Sequence, residues 1–476
     1  MKKIIVLLVL VSGIIIFSCS QPGSTNNPTG NPPATSADAD DNTPFPDFGY
    51  MLPPSQYDGP VFKLVADYPD SLPTDIPSFF SINYKKDWRE YLERVQEYCF
   101  KGNTEVDFRV EKNKVRKWYH MPWQHYGDNG REGFHGLTQE APVKAYQLAA
   151  TQSDSTTGAV AIGWYNDIAG YTIGQVWKNH RDPLHNTNVS FQHGAVLFKF
   201  LFVTFSDSTR AAQQVPSLAN GLWWDGYVVS DFTKMYTPNP ALYRHATKVV
   251  LIQMDIMIRD TTSPHGWIFG NYEYNGKQGK NPKWNNLVPV GIMWDEDPQD
   301  TTNQSNPHPT RTIINTSLKG TIINPDANEL PPTHLGWNGR LNGPVDNPMS
   351  SCYSCHATAE YPQMALMSPL FNSDTLKANP PSSPGWMRWF QNNPCGQPWD
   401  NDSYSMDFSY QLAISLQNFY QWKYTQGGLF DSSYANNPSV SAMSVKTFAA
   451  RSNVPRAMVA PKNTTRRVVP IQFINQ

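Results

Sequence analysis

Five consecutive residues, Cys352-Tyr353-Ser354-Cys355-His356, constrain this chain more than any other stretch of it. C-x-x-C-H is the pattern of covalent haem c attachment. Two thiols three positions apart can each form a thioether with one of the two vinyl groups of a single haem. The adjacent histidine then lies under the iron as its proximal ligand. C-x-x-C alone also serves as a redox dithiol or as half of a zinc site. A structural zinc site needs a second ligand pair at similar spacing, which the other cysteines, Cys19, Cys99 and Cys395, do not supply. A redox dithiol belongs between a strand and a helix, whereas Pro348-Met349-Ser350-Ser351 leads into this pair. The expectation is one covalent haem c held by Cys352, Cys355 and His356.

The N-terminus reads as an export signal. Lys2 and Lys3 precede an apolar run from Ile4 to Phe17, broken only by Ser12 and Gly13. A membrane span needs roughly 20 residues, and this shorter run suits the apolar region of a signal peptide. It ends in Ile16-Phe17-Ser18-Cys19, which resembles a bacterial lipobox. In a lipobox the cysteine is diacylated and becomes the first residue of the mature chain. The alternative is an ordinary signal peptide with a chance cysteine. Residues 1–18 are thus expected to be a lipoprotein signal peptide. Residues 19–46, rich in Ser, Thr, Asn and Pro, bury too little apolar surface to offset their ordering entropy. They are expected to form a flexible tether, and dual acylation at Cys19 would hold the chain on a membrane where one acyl chain would not.

About 430 residues follow, enough for two domains or one large one. A net charge of -2 gives no nucleic-acid footprint. Forty prolines and 30 glycines imply many loops and short elements, which excludes a helical bundle or a membrane channel. Cys99 and Cys395 remain after lipid and haem are assigned. They are either a disulfide or two buried free thiols.

Periodicity predicts an α+β fold. Asp87 to Phe100 has helical spacing, with Trp88, Tyr91, Leu92, Val95 and Cys99 on one side. Strands are predicted at 158–164, 171–177, 195–205, 248–260, 267–274 and 287–294. The run 195–205 is apolar on both faces except for Lys199, so it should be a central strand. In 248–260, Val250, Ile252, Met254, Ile256 and Ile258 face one way, with Gln253, Asp255 and Arg259 opposite. A β-rich body with peripheral helices is therefore expected over 47–325. A small, mainly helical, cytochrome c-like haem segment should follow over 326–430. Within it, 334–349 is Gly-, Asn- and Pro-rich and reads as a structured loop. A helix is predicted from near Ser351 through the haem motif to about Glu360. Another is predicted over 407–422, capped by Asp407, with Phe408, Leu412, Leu416 and Phe419 as its apolar stripe. The polar tail 431–476, with Arg451, Arg456, Arg466 and Arg467, is read as an extended wrap.

On the lipobox end Ile16 to Cys19 and the motif Cys352 to His356, the chain resembles bacterial exported monohaem c-type cytochromes of the lipoprotein kind. The resemblance covers the haem segment and none of the body. It implies haem attachment outside the cytoplasm and an exported protein, lipid-anchored on the periplasmic or cell-surface side. Class I cytochromes c add one likeness, since they place a methionine ligand in a loop before a final helix. Met406 sits immediately before 407–422, which makes it the sixth iron ligand by that resemblance. The departure is that class I proteins have a helix leading into the haem motif, where this chain has its Gly/Pro loop.

The sixth position decides function. A strong sixth ligand makes an electron carrier, and an open one permits catalysis or gas binding. Rivals to Met406 are Met387 and a histidine from the body: His120, His125 or His135, or else His334 in the loop. Arg340, in the loop entering the haem motif, is a candidate for binding a haem propionate, with a solvated surface arginine as the alternative. Two functions are carried forward. One is a membrane-tethered electron-transfer cytochrome with a redox partner protein and no nucleic-acid partner. The other is a haem c-dependent, peroxidase-like oxidoreductase whose N-terminal body forms the distal pocket. The size of the body favours the second and the motif favours the first.

Overall fold

The computed structural model describes Phe45, Leu52 and residues 55–425, apart from 125–129, 155–157, 230–242, 303–305, 307, 363–368 and 370–378. The signal peptide, Cys19, nearly all of the tether and the 431–476 tail lie outside the described residues. All described residues belong to one compact unit, Pro32–Gln476.

The elements in chain order are α1 (Trp88–Phe100), β1 (Thr138–Gln139), β2 (Ala159–Tyr165), α2 (Asp167–Val176), β3 (Val196–Thr204) and α3 (Ser208–Gln214). They continue with β4 (Trp223–Val228), β5 (His245–Arg259), β6 (Trp267–Tyr274), β7 (Leu287–Met293) and β8 (Thr321–Ile323). The last group is α4 (Cys352–His356), β9 (Glu360–Tyr361), α5 (Pro384–Met387), β10 (Tyr404–Ser405) and α6 (Tyr410–Thr425). Eight strands form one antiparallel sheet in the order β1-β2-β3-β5-β6-β7-β8, with β4 paired to the N-terminal half of β5. The fold is α+β, as the sequence predicts. The apolar 195–205 run is the central strand β3, and α1 starts one residue after its predicted first position.

Side-chain alternation gives the sheet two unlike faces. One is apolar: Trp164, Phe198, Phe200, Met254, Ile256, Ile268 and Tyr272 are buried there, and α1 covers it. Tyr272 Oη donates to the Leu92 carbonyl at 2.6 Å. On the other face, cross-strand neighbours run Gly163–Lys199–Asp255–Asn271–Gly291. Small and polar residues thus form a row across five strands. A register shift between Leu201 and Phe202 interrupts the β3–β5 alternation before Gln253.

Three expectations are corrected. Residues 171–176 lie in the helix α2 and Trp177 caps it, in place of the expected strand, because Asn166 caps the N-terminus, accepting from Ala169 N–H at 3.0 Å. The segment 326–430, expected to be mainly helical, is mostly loop among its described residues apart from α6: α4 ends at His356 and the chain enters β9 at Glu360. Asp407 does not cap α6. It has φ +47, and its carboxylate accepts from Phe191 N–H, Trp267 Nε1 and Gly396 N–H.

Candidate haem-binding site

The loop ahead of α4 docks on the polar row. Asp346 N–H closes a turn onto the Gly343 carbonyl at 3.0 Å, with Pro344 at its second position. That turn clasps Gln253 of β5: Val345 N–H donates to Gln253 Oε1 at 2.9 Å, and Gln253 Nε2 donates to Asp346 Oδ2 at 2.8 Å. A Cβ on Gly343 would lie 2.1 Å from Gln253 Nε2, so only glycine allows the approach. α4 then starts with a capping box, Ser351 Oγ accepting from Ser354 N–H and Ser354 Oγ from Ser351 N–H.

This docking aims α4 at the sheet. Tyr353 packs at 5.6 Å and His356 at 5.7 Å, ring to ring, on Phe269 of β6. Cys352, Cys355 and His356 each stay partly open to solvent. Opposite them, Lys199 is the one residue of β3 that is not buried, and Asp255 the one between Val249 and Arg259 in β5. Solvent therefore reaches the middle of the sheet where the motif faces it.

The motif's side chains fit thioether-linked haem. His356 Nδ1 lies 2.9 Å from the Phe408 carbonyl. That bond fixes the ring as the Nδ1–H tautomer and leaves Nε2 as the donor to a metal. Burial lowers the imidazole pKa to about 4, against the opposing pull of the Phe408 carbonyl, so the ring is neutral at pH 7. Burial, then Asp255 and Asp346, push the Cys352 thiol far up, and burial with Asp346 does the same to Cys355. Both stay thiols at neutral pH. Redox dithiols and zinc ligands need an accessible thiolate, which this acidic setting opposes. A thioether is neutral and meets no such penalty. Among the described residues, no group of three or more His, Cys, Asp or Glu side chains could hold a metal ion. Bound at this site, haem would supply a one-electron redox centre.

Other expected site residues fall elsewhere. Met406 is fully buried, and its N–H donates to the Ala359 carbonyl at 2.9 Å. Phe408, two residues on, sits behind the His356 ring at Nδ1. Met406 is thus near, along the chain, to the residue that holds His356, and its sixth-ligand role stays what the class I resemblance implies. Arg340 is fully buried and paired with Glu296 at 3.0 Å. Nε also donates to the Glu296 carbonyl, Nη1 to that of Trp337, and Nη2 to those of Asp297 and Asp300. It anchors the loop, in place of the expected propionate contact. Met387 packs among Trp337, Trp386, Trp389 and Phe390.

The body histidines are engaged too. His120 is buried and accepts from Val65 N–H at Nδ1, 3.0 Å away. His135 lies 2.8 Å from the Asp225 carbonyl and stacks on Trp224. His334 Nε2 lies 2.8 Å from the Pro344 carbonyl. His125, Met364 and Met367 lie outside the described residues. Cys99 and Cys395 are free thiols. The sequence pointed to Lys199 as a lone charge in a central strand and to Gln253 and Asp255 as the polar side of β5. It carried no signal that Asp346 and Glu140 join them.

Comparison of the chain with family models, with curated proteins and with solved structures gives no match.

Proposed function

We propose that this chain is an exported, lipid-anchored c-type cytochrome. It carries one haem c on Cys352 and Cys355 with His356 as proximal ligand, and exchanges single electrons with a partner protein in the periplasm or at the cell surface. The observation that carries this reading is the His356 Nδ1–Phe408 carbonyl bond, which prepares Nε2 for iron beside two thiols held neutral. The protein's part is to fix the imidazole, shield the metal and set the surrounding charge, the levers that tune a haem potential.

A second reading, a haem c-dependent oxidoreductase, is favoured by one feature. Lys199 and Asp255 give the open centre of the sheet titratable groups able to move protons, a need of catalysis more than of simple electron transfer. Carbon monoxide separates the two. The protein, made with haem-maturation machinery, is reduced and its visible spectrum recorded before and after the gas is added. Electron transfer predicts an unchanged, six-coordinate spectrum. A prompt shift means an open or displaceable site and moves the assignment to the oxidoreductase.

A further inference from the structure

The polar row beneath α4 holds more acid than base. Glu140, Asp255 and Asp346 face one ammonium, that of Lys199. Lys199 Nζ lies 2.8 Å from Glu140 Oε1, so that charge already has a partner. Asp255 and Asp346 share a single amide instead. Gln253 Nε2 donates to Asp255 Oδ1 and to Asp346 Oδ2, each at 2.8 Å. The amide cannot turn over, because its oxygen accepts from Val345 N–H. Asn271 also donates to Asp255, and Gly343 N–H to Asp346 at 3.1 Å. Among the described residues, the other titratable neighbours, the thiols of Cys352 and Cys355 and the imidazole of His356 on α4, are neutral at pH 7. Among the described residues, Lys199 is the cation that acts on them, and it is shared with Glu140, so two carboxyls bridged by one amide resist ionising together. Burial, then mutual repulsion, raises Asp255 to about 8, and burial raises Asp346 as well.

We propose that Asp255 and Asp346 form a proton-binding site that fills when the C-x-x-C-H site gains an electron, so that the chain moves a proton with each electron. The proposal rests on the haem reading above. Both carboxyls act through space on Cys352 and Cys355, whose sulfurs would join the macrocycle. Negative charge arriving there strengthens proton binding, and by linkage a bound proton strengthens electron binding equally. One electron comes from a one-electron donor protein. One proton comes from water, which reaches Asp255 at the sheet surface, and forms an O–H bond on the carboxyl pair. Oxidation by an acceptor protein releases both.

The test starts with covalent haem content, then measures the midpoint potential of the full chain from pH 6 to 10. A potential that falls as pH rises is expected. Its slope should approach about 59 mV for each tenfold drop in proton concentration, the one-proton, one-electron value. Asp255→Asn and Asp346→Asn should flatten it. A slope that survives in both variants puts the proton on the haem propionates and overturns the proposal, as does a flat profile in the unsubstituted protein. Infrared difference spectra of the unsubstituted protein give a check that does not depend on how the variants fold. Reduction should raise a protonated-carboxyl band that shifts in heavy water, and no such band would overturn the proposal. A protein without covalent haem fails at the first step and takes the haem reading with it, whereas a haem-loaded protein without the slope sinks the proton site alone.

Discussion

His356 and Asp255 are both largely shielded from water, and desolvation moves each toward its neutral form by opposite shifts. For His356 the shift is downward, which suits a metal ligand. For Asp255 it is upward, and that has a consequence for stability. An acid whose folded pKa lies above its unfolded value binds its proton more tightly when folded. Its contribution to stability is thus lost as pH rises from about 4, where the unfolded group ionises, to about 8, where the folded one does. Asp255→Asn should therefore match the parent near pH 4 and exceed it near pH 8, as read from urea midpoints at the two pH values. Equal midpoints at pH 8 would show that the carboxyl is not strained by burial. Met406 makes a second case at this scale. Met406→Ala removes a buried side chain and should cost about 2–5 kcal/mol, and if Met406 is the sixth ligand the reduced protein should also lose its six-coordinate bands. Unchanged bands would remove it from that role.

At the scale of elements, the 334–350 loop leads into α4, where the class I resemblance would put a helix. Its rigidity comes from Arg340, which ties Trp337, Glu296, Asp297 and Asp300 together from a fully buried position. Glu296 in turn accepts from Ser351 Oγ at the N-terminus of α4. Arg340→Met leaves Glu296 buried without its cation and should cost about 3–5 kcal/mol, with loss of haem loading in proportion to unfolding. A propionate role would instead shift the haem potential with little loss of stability. The short α4 was not legible from the sequence. Residues 351–360 look continuous as a helix, but Ala359 and Glu360 take part in pairing with 404–406, and that partner lies some 45 residues away. α2 misled in the other direction. Its Tyr, Thr and Ile residues carry strand propensity, and tertiary burial with the Asn166 cap overrides it.

At the scale of the whole molecule, the body was readable where periodicity is long. β3, β5, β6 and β7 stand where alternation and apolar runs put them, because their faces are buried in a fixed register. The chemistry was readable only where it is local. Cys352, Cys355 and His356 announce themselves within five residues, but the groups that tune them come from Phe408, Asp255, Asp346 and Lys199, brought in by sheet register and loop docking. A large sheet that presents a polar, partly open row to a haem motif accounts for the body's size in a way a bare electron carrier would not. The account stands on covalent haem at this row. Its most direct test is the mass and haem stain of the denatured chain produced with haem-maturation machinery, beside a Cys352→Ala/Cys355→Ala variant. One haem per chain that survives denaturation and disappears in the variant is the predicted result. A parent chain that loses all haem on denaturation would contradict it.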